Sequence, residues 1–341
     1  MDTEHIQLAH GGGGQLTAEL VEQVVLPIIG GQDARGLTDA ATLKLGRGRL
    51  AFTTDSYVVQ PLEFPGGDIG KLAVCGTIND LAVVGARPRA LSLGMVLEEG
   101  LLIALLRRVL ASIAQAARDA GVAVVTGDTK VVQRGGLEGM VLNTSGVGEV
   151  MAKARLGFDR VRTGDRILLS GPLGEHGMTI MSQRKGLSFT AELKSDCAAI
   201  HGLTMALVDC LGGAVRFMRD PTRGGLAATL VELSRGTGRD VEIEEAAIPV
   251  NRTARAAAEM LGLDLLTVAN EGKLVAVVSA EAAGQAQTIL AGQAIAAQAA
   301  VIGTVGRACG QGTTGLVEMV TRVGGRRVVQ MPYGEELPRI C

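Results

Sequence analysis

The sequence predicts a mixed α/β protein of two domains that ends in a short tail. The chain has 341 residues, of which 47% are hydrophobic, so its apolar content is enough for about two compact cores. Short apolar runs alternate with longer stretches of helical periodicity, an order that is typical of α/β folds. The 48 glycines cluster where strands end and helices begin. We expect an N-terminal domain over 1–154, a C-terminal domain over 155–330 and a mobile tail over 331–341.

The predicted N-terminal domain begins with a helix and then alternates strands and helices. Apolar side chains at helical spacing run over 16–29 and stop near Pro27 and the glycines that follow it. Apolar runs without that spacing predict strands at 50–55, 91–97, 122–126 and 140–150. Helical periodicity predicts further helices at 69–84 and 101–120, and Gly121 closes the second one.

The predicted C-terminal domain begins after a charged, loop-like stretch at 155–164. Apolar runs predict strands at 166–170, 241–243 and 273–279. Helical periodicity predicts helices at 196–211, from Gly224 onward and at 281–299. A hairpin over 316–330 completes this domain.

The composition excludes several classes of protein. The chain carries 33 Lys and Arg against 35 Asp and Glu, and it has no Trp, so we expect no nucleic-acid surface. No apolar run approaches the ~20 residues of a membrane span, and the N-terminus lacks a secretory signal. We therefore expect a cytoplasmic protein that binds no membrane. The five cysteines have neither zinc-site nor disulfide-framework spacing, and core packing is expected for Cys75, Cys197, Cys210 and Cys309.

Aspartates in Gly-, Thr- and Asn-rich segments are the main candidates for metal binding. Asp55, Asp80, Asp128 and Asp220 have such surroundings, and several of them end predicted strands. Carboxylates at that edge of an α/β fold suit Mg²⁺ bridged to nucleotide phosphates. Each one alone is as well explained as a cap or turn residue, whereas their recurrence favours a shared site.

A glycine-rich segment at the N-terminus is the main candidate for phosphate binding. Gly11–Gly14 lead directly into the first predicted helix, where successive backbone amides can surround an anion. A flexible linker is the alternative, although it would connect nothing so close to the N-terminus. The stretch from Gly66 to Lys71 is no Walker A loop, because Leu72 stands where a metal-binding Ser or Thr is required.

Two charged residues in different domains are candidates for acid–base chemistry. Glu271 lies in a predicted turn before a strand, and Lys130 lies just beyond a predicted strand. Brought together across a domain cleft, they would move a proton and hold a developing oxyanion. The alternative is two solvated turn charges. His176 is interpreted as a loop histidine without a catalytic role.

The last residue of the chain, Cys341, is a candidate reactive thiol. The tail contains Pro332 and Pro338, which favour an extended arm over a helix or central strand. Eleven extended residues reach ~35–40 Å, far enough to carry a group between two active sites. A frayed terminus that ends in Cys by chance is the alternative.

Eight segments, in this order, are similar to the HypE family of hydrogenase maturation factors. They are His10-Gly-Gly-Gly-Gly-Gln15, Thr53-Thr-Asp-Ser-Tyr57, Phe64-Pro-Gly-Gly, Gly76-Thr-Ile-Asn-Asp80, Val125-Thr-Gly-Asp-Thr-Lys-Val-Val132, Asp220-Pro-Thr-Arg-Gly-Gly225, Ala269-Asn-Glu-Gly-Lys273 and Pro338-Arg-Ile-Cys341. The terminal Pro-Arg-Ile-Cys is the most specific, since the Asp- and Gly-rich segments also resemble aminoimidazole ribonucleotide synthetase and its wider superfamily. Pro221 stands where the family more often has a small residue.

The resemblance implies a two-domain aminoimidazole ribonucleotide synthetase-like fold and a homodimer whose N-terminal domains pair in a β-barrel. It implies ATP and Mg²⁺ as cofactors. The implied nucleotide-binding residues are Gly12, Gly13, Gly14, Asp39, Asp55, Lys71, Asn79, Asp80, Thr126, Asp128, Thr222 and Arg223. The implied metal ligands are Asp55, Asp80, Asp128 and Asp220.

The resemblance also implies a reaction on the tail. A carbamoyltransferase, HypF, would place a carbamoyl group on Cys341, and ATP would drive its dehydration to a thiocyanate with Glu271 as base and Lys130 as electrostatic partner. The cyanide would then pass to iron on a HypC–HypD complex. Two alternatives stay open at this point: a related enzyme with a diffusible substrate, such as a selenophosphate synthetase, and a carrier that hands on the carbamoyl group intact.

Overall fold

A computed structural model describes residues 14–20, 22, 41–45, 48–187, 192–310, 315–334, 337 and 340–341. Gly12, Gly13 and Asp39, which the resemblance assigns to the nucleotide, lie outside these residues. So does most of the predicted first helix, of which the structure describes Gln15–Leu20.

The N-terminal domain is an open five-stranded sheet with two long helices. Its elements are α1 (Gln15–Leu20), β1 (Ala41–Leu45), β2 (Gly48–Tyr57), β3 (Glu63–Phe64), β4 (Gly67–Asp68), α2 (Ile69–Val83), β5 (Ala86–Glu98), α3 (Ile103–Asp119), β6 (Ala123–Val132) and β7 (Met140–Val150). The sheet order is β1-β2-β7-β5-β6, and only the β5–β6 pair in it is parallel. Among the described strands of this sheet, β6 therefore lies at an edge.

The C-terminal domain is a seven-stranded sheet with helices on both faces. Its elements are β8 (Arg166–Leu169), α4 (Glu175–Arg184), α5 (His201–Leu211), β9 (Val215–Arg219), α6 (Gly225–Thr237), β10 (Arg239–Glu244), α7 (Arg252–Leu261), β11 (Val275–Val278), α8 (Ala283–Ala291), β12 (Ala300–Ala308), β13 (Val317–Val320) and β14 (Arg326–Val328). The order is β14-β13-β10-β12-β8-β11-β9. All four residues of β11 are buried, as expected for a strand covered on both faces.

Helix α2 connects the two domains. Asp68 caps its N-terminus by accepting a hydrogen bond from the Lys71 N–H at 2.8 Å. Almost every residue of α2 is buried, because one side packs on β2 and β7 and the other on α5 of the C-terminal domain. Its residues Leu81 and Ala82 belong to the same apolar core as Leu203 and Leu207 of α5. The cleft between the domains therefore has a solid apolar floor.

The structure confirms most predicted elements and corrects the bounds of several. Strands β2 and β6 continue to Tyr57 and Val132, so Asp55 and Asp128 lie inside their strands and not at the strand ends. Helix α5 begins at His201, five residues later than predicted, which leaves Asp196 in a segment outside the helices and strands. Helix α8 covers only Ala283–Ala291 of the predicted 281–299. Among the described elements, no helix is long and apolar enough to cross a membrane.

Four elements of the C-terminal domain were absent from the prediction. Helix α4 contains glycine and polar residues and has no clear apolar stripe, whereas α7 has an apolar face built mainly from small side chains, with Ala254, Ala257 and Ala258 buried. Strands β9 and β12 carry arginine or glycine among their apolar residues. Tertiary contacts decide these segments more than local pattern does.

Candidate active site

The end of the tail lies in the cleft between the two domains. Ile340 is buried, and Cys341 packs beside it against the N-terminal core. The Cys341 thiol lies close enough to the Glu271 carboxylate for Glu271 to raise the pKa of the thiol. At the start of the tail, the Pro332 carbonyl accepts a hydrogen bond from the Gln15 N–H at 2.9 Å. The described parts of the tail thus contact the body at both ends.

The segment that carries Glu271 is fixed by Asp196. The Asp196 carboxylate accepts hydrogen bonds from the backbone N–H groups of Glu271 and Gly272, each at 3.2 Å. A Cβ at position 272 would collide with the Asp196 carbonyl oxygen, so only glycine allows this close approach. Lys273 balances the buried charge, with Nζ at 3.2 Å from Asp196 Oδ2 and 3.0 Å from Glu175 Oε2. Position and charge at Glu271 are therefore both set by neighbours.

Glu271 is a buried carboxyl group with an unused oxygen. Burial, together with the charges of Asp196 and Asp220, raises the pKa of Glu271 well above its ordinary value, and Arg223 acts in the opposite direction. Its Oε1 atom has no hydrogen-bond partner among the described residues. Because buried polar atoms are nearly always paired, Oε1 is poised to accept a donor from a bound group. A carboxyl with these properties suits a general base.

The surroundings of Cys341 disfavour the thiolate form of its side chain. Burial raises the pKa of Cys341, and Glu271 raises it further, while Arg223 opposes the shift. A thiol, unlike a thiolate, is a poor nucleophile. The docked position therefore suits a sulfur that already carries its group better than one that must still acquire it.

Asp55 in β2 and Asp220 after β9 bring two carboxylates from different domains to the same cleft. Burial raises the pKa of both, and that of Asp220 reaches about 6, with Asp55 contributing to this rise. Nearby, Asp80 accepts a hydrogen bond from Thr53 at 2.8 Å. Repulsion between partly buried carboxylates is what a cation would relieve, and oxygen donors of this kind fit Mg²⁺.

A complete metal cage is absent from the described part of the chain. There, no three His, Cys, Asp or Glu side chains converge as metal ligands. Mg²⁺ commonly binds one or two carboxylates and completes its shell with phosphate oxygens and water. Asp55 and Asp220 fit that arrangement.

Three other residues predicted to bind the nucleotide differ in how far they are buried and hydrogen-bonded. Asn79 donates to the carbonyls of Ala198 at 3.1 Å and Glu271 at 3.4 Å, and it accepts from the Ile200 N–H at 2.8 Å. Its side chain thus fixes the domain interface in this structure. Lys71 is near the surface, with Nζ donating to the Gly66 carbonyl at 2.9 Å. Thr222 is half-buried and precedes Arg223.

Thr126, Asp128 and Lys130 lie together on strand β6 of the N-terminal domain. All three are exposed on β6, where Lys130 forms an ion pair with Asp128. The cross-strand row that begins at Asp55 passes through β7 and β5 before it reaches β6, which puts β6 about 14 Å away. Among the described residues, no hydrogen bond or ion pair joins Lys130 to Glu271, and the salt bridge of Lys130 is with Asp128.

His176 was interpreted as a loop residue, and this interpretation is wrong. It lies in the first turn of α4 and is completely buried. Its Nε2 atom is 2.7 Å from the Ile340 carbonyl oxygen, and its Nδ1 atom is 2.8 Å from Ser195 Oγ. The Gly174-Glu-His-Gly sequence has no feature that predicts a contact with residues so distant in the chain.

The interpretation of the cysteines is correct for two of them. Cys75 and Cys197 are buried in the same apolar core. Cys210, by contrast, is exposed at the end of α5, and Cys309 is half-buried with its thiol donating to Asp240 at 3.4 Å.

Comparisons with known proteins match almost the whole chain. Residues 37–150 match the family "AIR synthase related protein, N-terminal domain", and residues 162–314 match "AIR synthase related protein, C-terminal domain". The carbamoyl dehydratase HypE of Rhodobacter capsulatus is 48% identical over 341 residues, which cover 99% of this chain and 98% of the relative.

Solved structures give the same result. A HypE–HypF complex superposes with a TM-score of 0.85 at 40% identity, covering 92% of this chain and 99% of that one. A structure of hydrogenase maturation protein HypE in complex with ATP superposes with a TM-score of 0.82 at 45% identity and covers 99% of this chain and 100% of that one.

Proposed function

Since this chain belongs to the HypE family of AIR synthase-related proteins, we propose that it is an ATP-dependent carbamoyl dehydratase of hydrogenase maturation that acts on its own Cys341. The observation that carries this proposal is the proximity of the Cys341 thiol to the buried Glu271 carboxylate. A terminal thiol held against a base, beside carboxylates suited to Mg²⁺-ATP, is the arrangement that dehydration of a tethered group requires.

The substrate is formed before the tail docks. HypF transfers a carbamoyl group to the Cys341 sulfur while the tail is outside the cleft, where the thiol is free of the burial that raises its pKa. The loaded tail then brings the carbamoyl group to Glu271. Tethering makes this encounter intramolecular, which raises the effective concentration of the substrate and leaves less opportunity for water.

Dehydration removes oxygen as phosphate and nitrogen-bound hydrogen as protons. The carbamoyl oxygen attacks the γ-phosphorus of ATP, and the bond from that phosphorus to ADP breaks. Glu271 takes a proton from the nitrogen through its unpaired Oε1 atom. The C–O bond then breaks, the second N–H proton leaves, and phosphate departs. The products are a thiocyanate on Cys341, ADP, phosphate and the released protons.

The residues of the cleft position the nucleotide and stabilise charge. We assign Asp55 and Asp220 to Mg²⁺, which would offset the negative charge on the phosphates, and Asp80 to the same cluster. Arg223 lies close enough to both Cys341 and Glu271 to influence their pKa values, so it also stabilises negative charge that develops there. The glycine-rich segment that ends at Gly14, with Lys71 and Thr222, completes the proposed nucleotide site.

A homodimer accounts for the separate location of Thr126, Asp128 and Lys130. Val125 and Val131 of β6 are 65% and 68% exposed, which is unusual for an edge strand of a single chain. We propose that β6 contributes to pairing of the N-terminal domains in a β-barrel, and that Asp128 and Lys130 complete the site of the second copy. The division into residues 1–154, 155–330 and a tail over 331–341 fits this assembly.

Downstream, the thiocyanate needs an acceptor for its cyanide. We propose the iron of a HypC–HypD complex as that acceptor and the cytoplasm as the compartment. If the sulfur leaves as the Cys341 thiolate and the cyano group arrives as cyanide, breaking the S–C bond consumes two electrons, which the acceptor complex would have to supply.

Intact-mass analysis of the C-terminal peptide tests the proposal. The purified protein is incubated with HypF, carbamoyl phosphate and Mg²⁺-ATP, and HypF is then removed. We expect the peptide to gain one carbamoyl group and then to lose the mass of one water, with one phosphate released from the added ATP. Carbamoyl gain without water loss would identify a carrier, and no modification of Cys341 would refute the proposal.

A further inference from the structure

We infer that His176 is a positioning residue that holds the docked tail through the carbonyl group of Ile340, an inference that rests on the function proposed above. Among the described residues, the His176 ring forms hydrogen bonds with Ser195 and Ile340 and none with the Cys341 sulfur or the Glu271 carboxylate. It acts through the last peptide group, whose position determines where Cys341 meets Glu271.

The hydrogen bonds of His176 fix the protonation of its ring. The Ile340 carbonyl oxygen only accepts, so the proton lies on Nε2, 2.7 Å from that oxygen. In the neutral ring Nδ1 is then an acceptor, and the Ser195 hydroxyl donates to it at 2.8 Å. Ser195 Oγ accepts in turn from the Cys197 N–H at 3.1 Å. Burial lowers the pKa of His176, which keeps the ring neutral at physiological pH.

Both domains hold the ring in place. Phe64 of the N-terminal domain contacts it edge to face, with ring centroids 5.5 Å apart. The Ser195 N–H donates to the Pro65 carbonyl at 2.8 Å, which attaches the Ser195 segment to the same hairpin. The contacts of His176 therefore link both domains to the docked tail. A histidine that only filled space in the core would not need a hydrogen bond to each side.

The contact is made to the backbone and so does not depend on the cargo of Cys341. The free thiol, the carbamoyl form and the thiocyanate all keep the Ile340 carbonyl. Without the Nε2–H donor, this buried carbonyl would lose its partner, and the docked state would become less favourable relative to the solvated tail. We therefore expect His176 to act on the docking equilibrium and not on the carbamoyl transfer by HypF.

Alkylation of Cys341 measures docking without any enzymatic turnover. The full-length, uncarbamoylated protein is treated with iodoacetamide, and the alkylation rate of the C-terminal peptide is followed by mass spectrometry, with exposed Cys210 as an internal reference. We expect H176F to raise the alkylation rate of Cys341 by about three- to tenfold, the effect of losing one hydrogen bond. H176Q, whose amide can still donate, should restore most of the protection.

A matched control is H201F. His201 is partly buried in the C-terminal domain, and its Nδ1 atom has no partner among the described residues. This variant should leave Cys341 protected. Equal Cys341 rates in wild type and H176F would overturn the inference. So would a rate in H176F that Gln does not restore while Cys210 also reacts faster, since that outcome indicates general loosening.

Two further measurements separate this inference from the proposed function. After loading by HypF, H176F should dehydrate its carbamoyl group more slowly than wild type while being carbamoylated at the same rate. If wild type fails to dehydrate the group at all, the proposed function fails, and the alkylation rates still decide the role of His176. In ¹⁵N NMR, His176 should show the Nε2–H tautomer, and a dominant Nδ1–H tautomer would overturn the assignment.

Discussion

At Glu271, the environment that makes ionisation unfavourable also makes the ionised group a stronger base. When a carboxylic acid holds its proton tightly, its carboxylate form takes a proton readily from a substrate. Deprotonation of a carbamoyl nitrogen requires such a base. Burial is the main source of this effect, and the charges of Asp196 and Asp220 add to it.

Glu271→Gln should separate the two half-reactions. The amide keeps the shape of the side chain but cannot accept the proton, so dehydration of carbamoylated protein should slow by about 10²–10⁴-fold. Carbamoylation by HypF should proceed normally. Single-turnover mass spectrometry after addition of Mg²⁺-ATP measures both steps. Glu259→Gln, an exposed change on α7, serves as the control. Dehydration at the wild-type rate in E271Q would remove Glu271 from the role of base.

The pH dependence of the dehydration step follows from the same shift. Only the ionised form of Glu271 accepts a proton, and its pKa is raised, so the single-turnover rate should increase with pH through a midpoint well above the ~4.3 of an ordinary Glu. Rapid-quench measurements across pH with preloaded protein provide the profile. A rate that is already maximal near the ordinary Glu pKa would contradict this prediction.

Asp220 offers a prediction about stability. Its folded-state pKa of about 6 exceeds the unfolded value near 3.9, so the folded state binds the proton more tightly and the free energy of unfolding falls as pH rises between these values. Asp220→Asn removes this loss. Without Mg²⁺ at pH 7, we expect D220N to unfold with a free energy higher by about 2–3 kcal/mol.

Urea unfolding with and without Mg²⁺-ATP checks this expectation. D220N should also lose the stabilisation that Mg²⁺-ATP gives to wild type. Asp159→Asn changes an exposed aspartate and should alter neither quantity. A D220N protein that is less stable than wild type at pH 7 without ligand would show that Asp220 contributes to the fold as an ion.

At the residue scale, motif and order predicted roles for Cys341, Glu271, Asp55 and Asp220, and the structure places these four residues near one another. Motif and order were insufficient for His176 and Asp196, which act through contacts to backbone groups distant in the chain. Such contacts depend on how the two domains close, and a single sequence does not contain that information in local form.

Among the elements, strand β6 has the clearest consequence. It extends past the predicted end and exposes valines along an unpaired edge, with Val125 as the extra residue in its register with β5. We predict that V125K/V131K weakens a homodimer by at least about tenfold, because lysine on an edge strand opposes strand pairing and apolar contact.

Sedimentation equilibrium measures this effect, and dehydration should fall together with dimer content. Val323→Lys changes a valine that is 94% exposed in the hairpin between β13 and β14, and it should leave the dimer intact. A V125K/V131K protein that remains dimeric would rule out β6 as the interface.

The predicted elements that survived have strong local signals. The alternation of buried and less buried residues along β7 matches the predicted 140–150, and α2 has its Asp68 cap. The ends of β2 and β6 were set too early, because polar residues that line a site interrupt the apolar run of a strand. The predicted strand ends were therefore least accurate near the candidate site residues Asp55 and Asp128.

For the whole molecule, the domain interface and the active site are one structure. Asn79 joins α2 to the backbone at Ala198, Ile200 and Glu271. Asn79→Leu would leave these buried groups unpaired, and we expect the free energy of unfolding to fall by about 2–4 kcal/mol.

Thermal and urea unfolding measure the change in N79L, and Asn143→Leu is a control in which the lost partners are on the exposed side of the N-terminal sheet. Dehydration should fall in N79L even where the protein is fully folded, because the Glu271 segment loses a support. Unchanged stability and rate would show that the interface does not depend on Asn79.

The two-domain α/β architecture was predictable from length, alternation and glycine placement. The cleft was not, since it is formed by segments from both domains and by the end of the chain. Residues that recur in motifs were predicted as site residues, whereas His176 and Asp196, which bond to backbone groups distant in the chain, were not.

The docked tail also implies that undocking can limit the rate of turnover. Because the tail is held through its backbone, it can stay docked whether or not Cys341 carries a group. A docked tail with a free thiol is not accessible for the next carbamoylation. The docked tail is thus autoinhibitory, and the turnover rate depends on how often the tail undocks from the cleft. Faster catalysis in the cleft would yield little cyanide unless departure quickened as well.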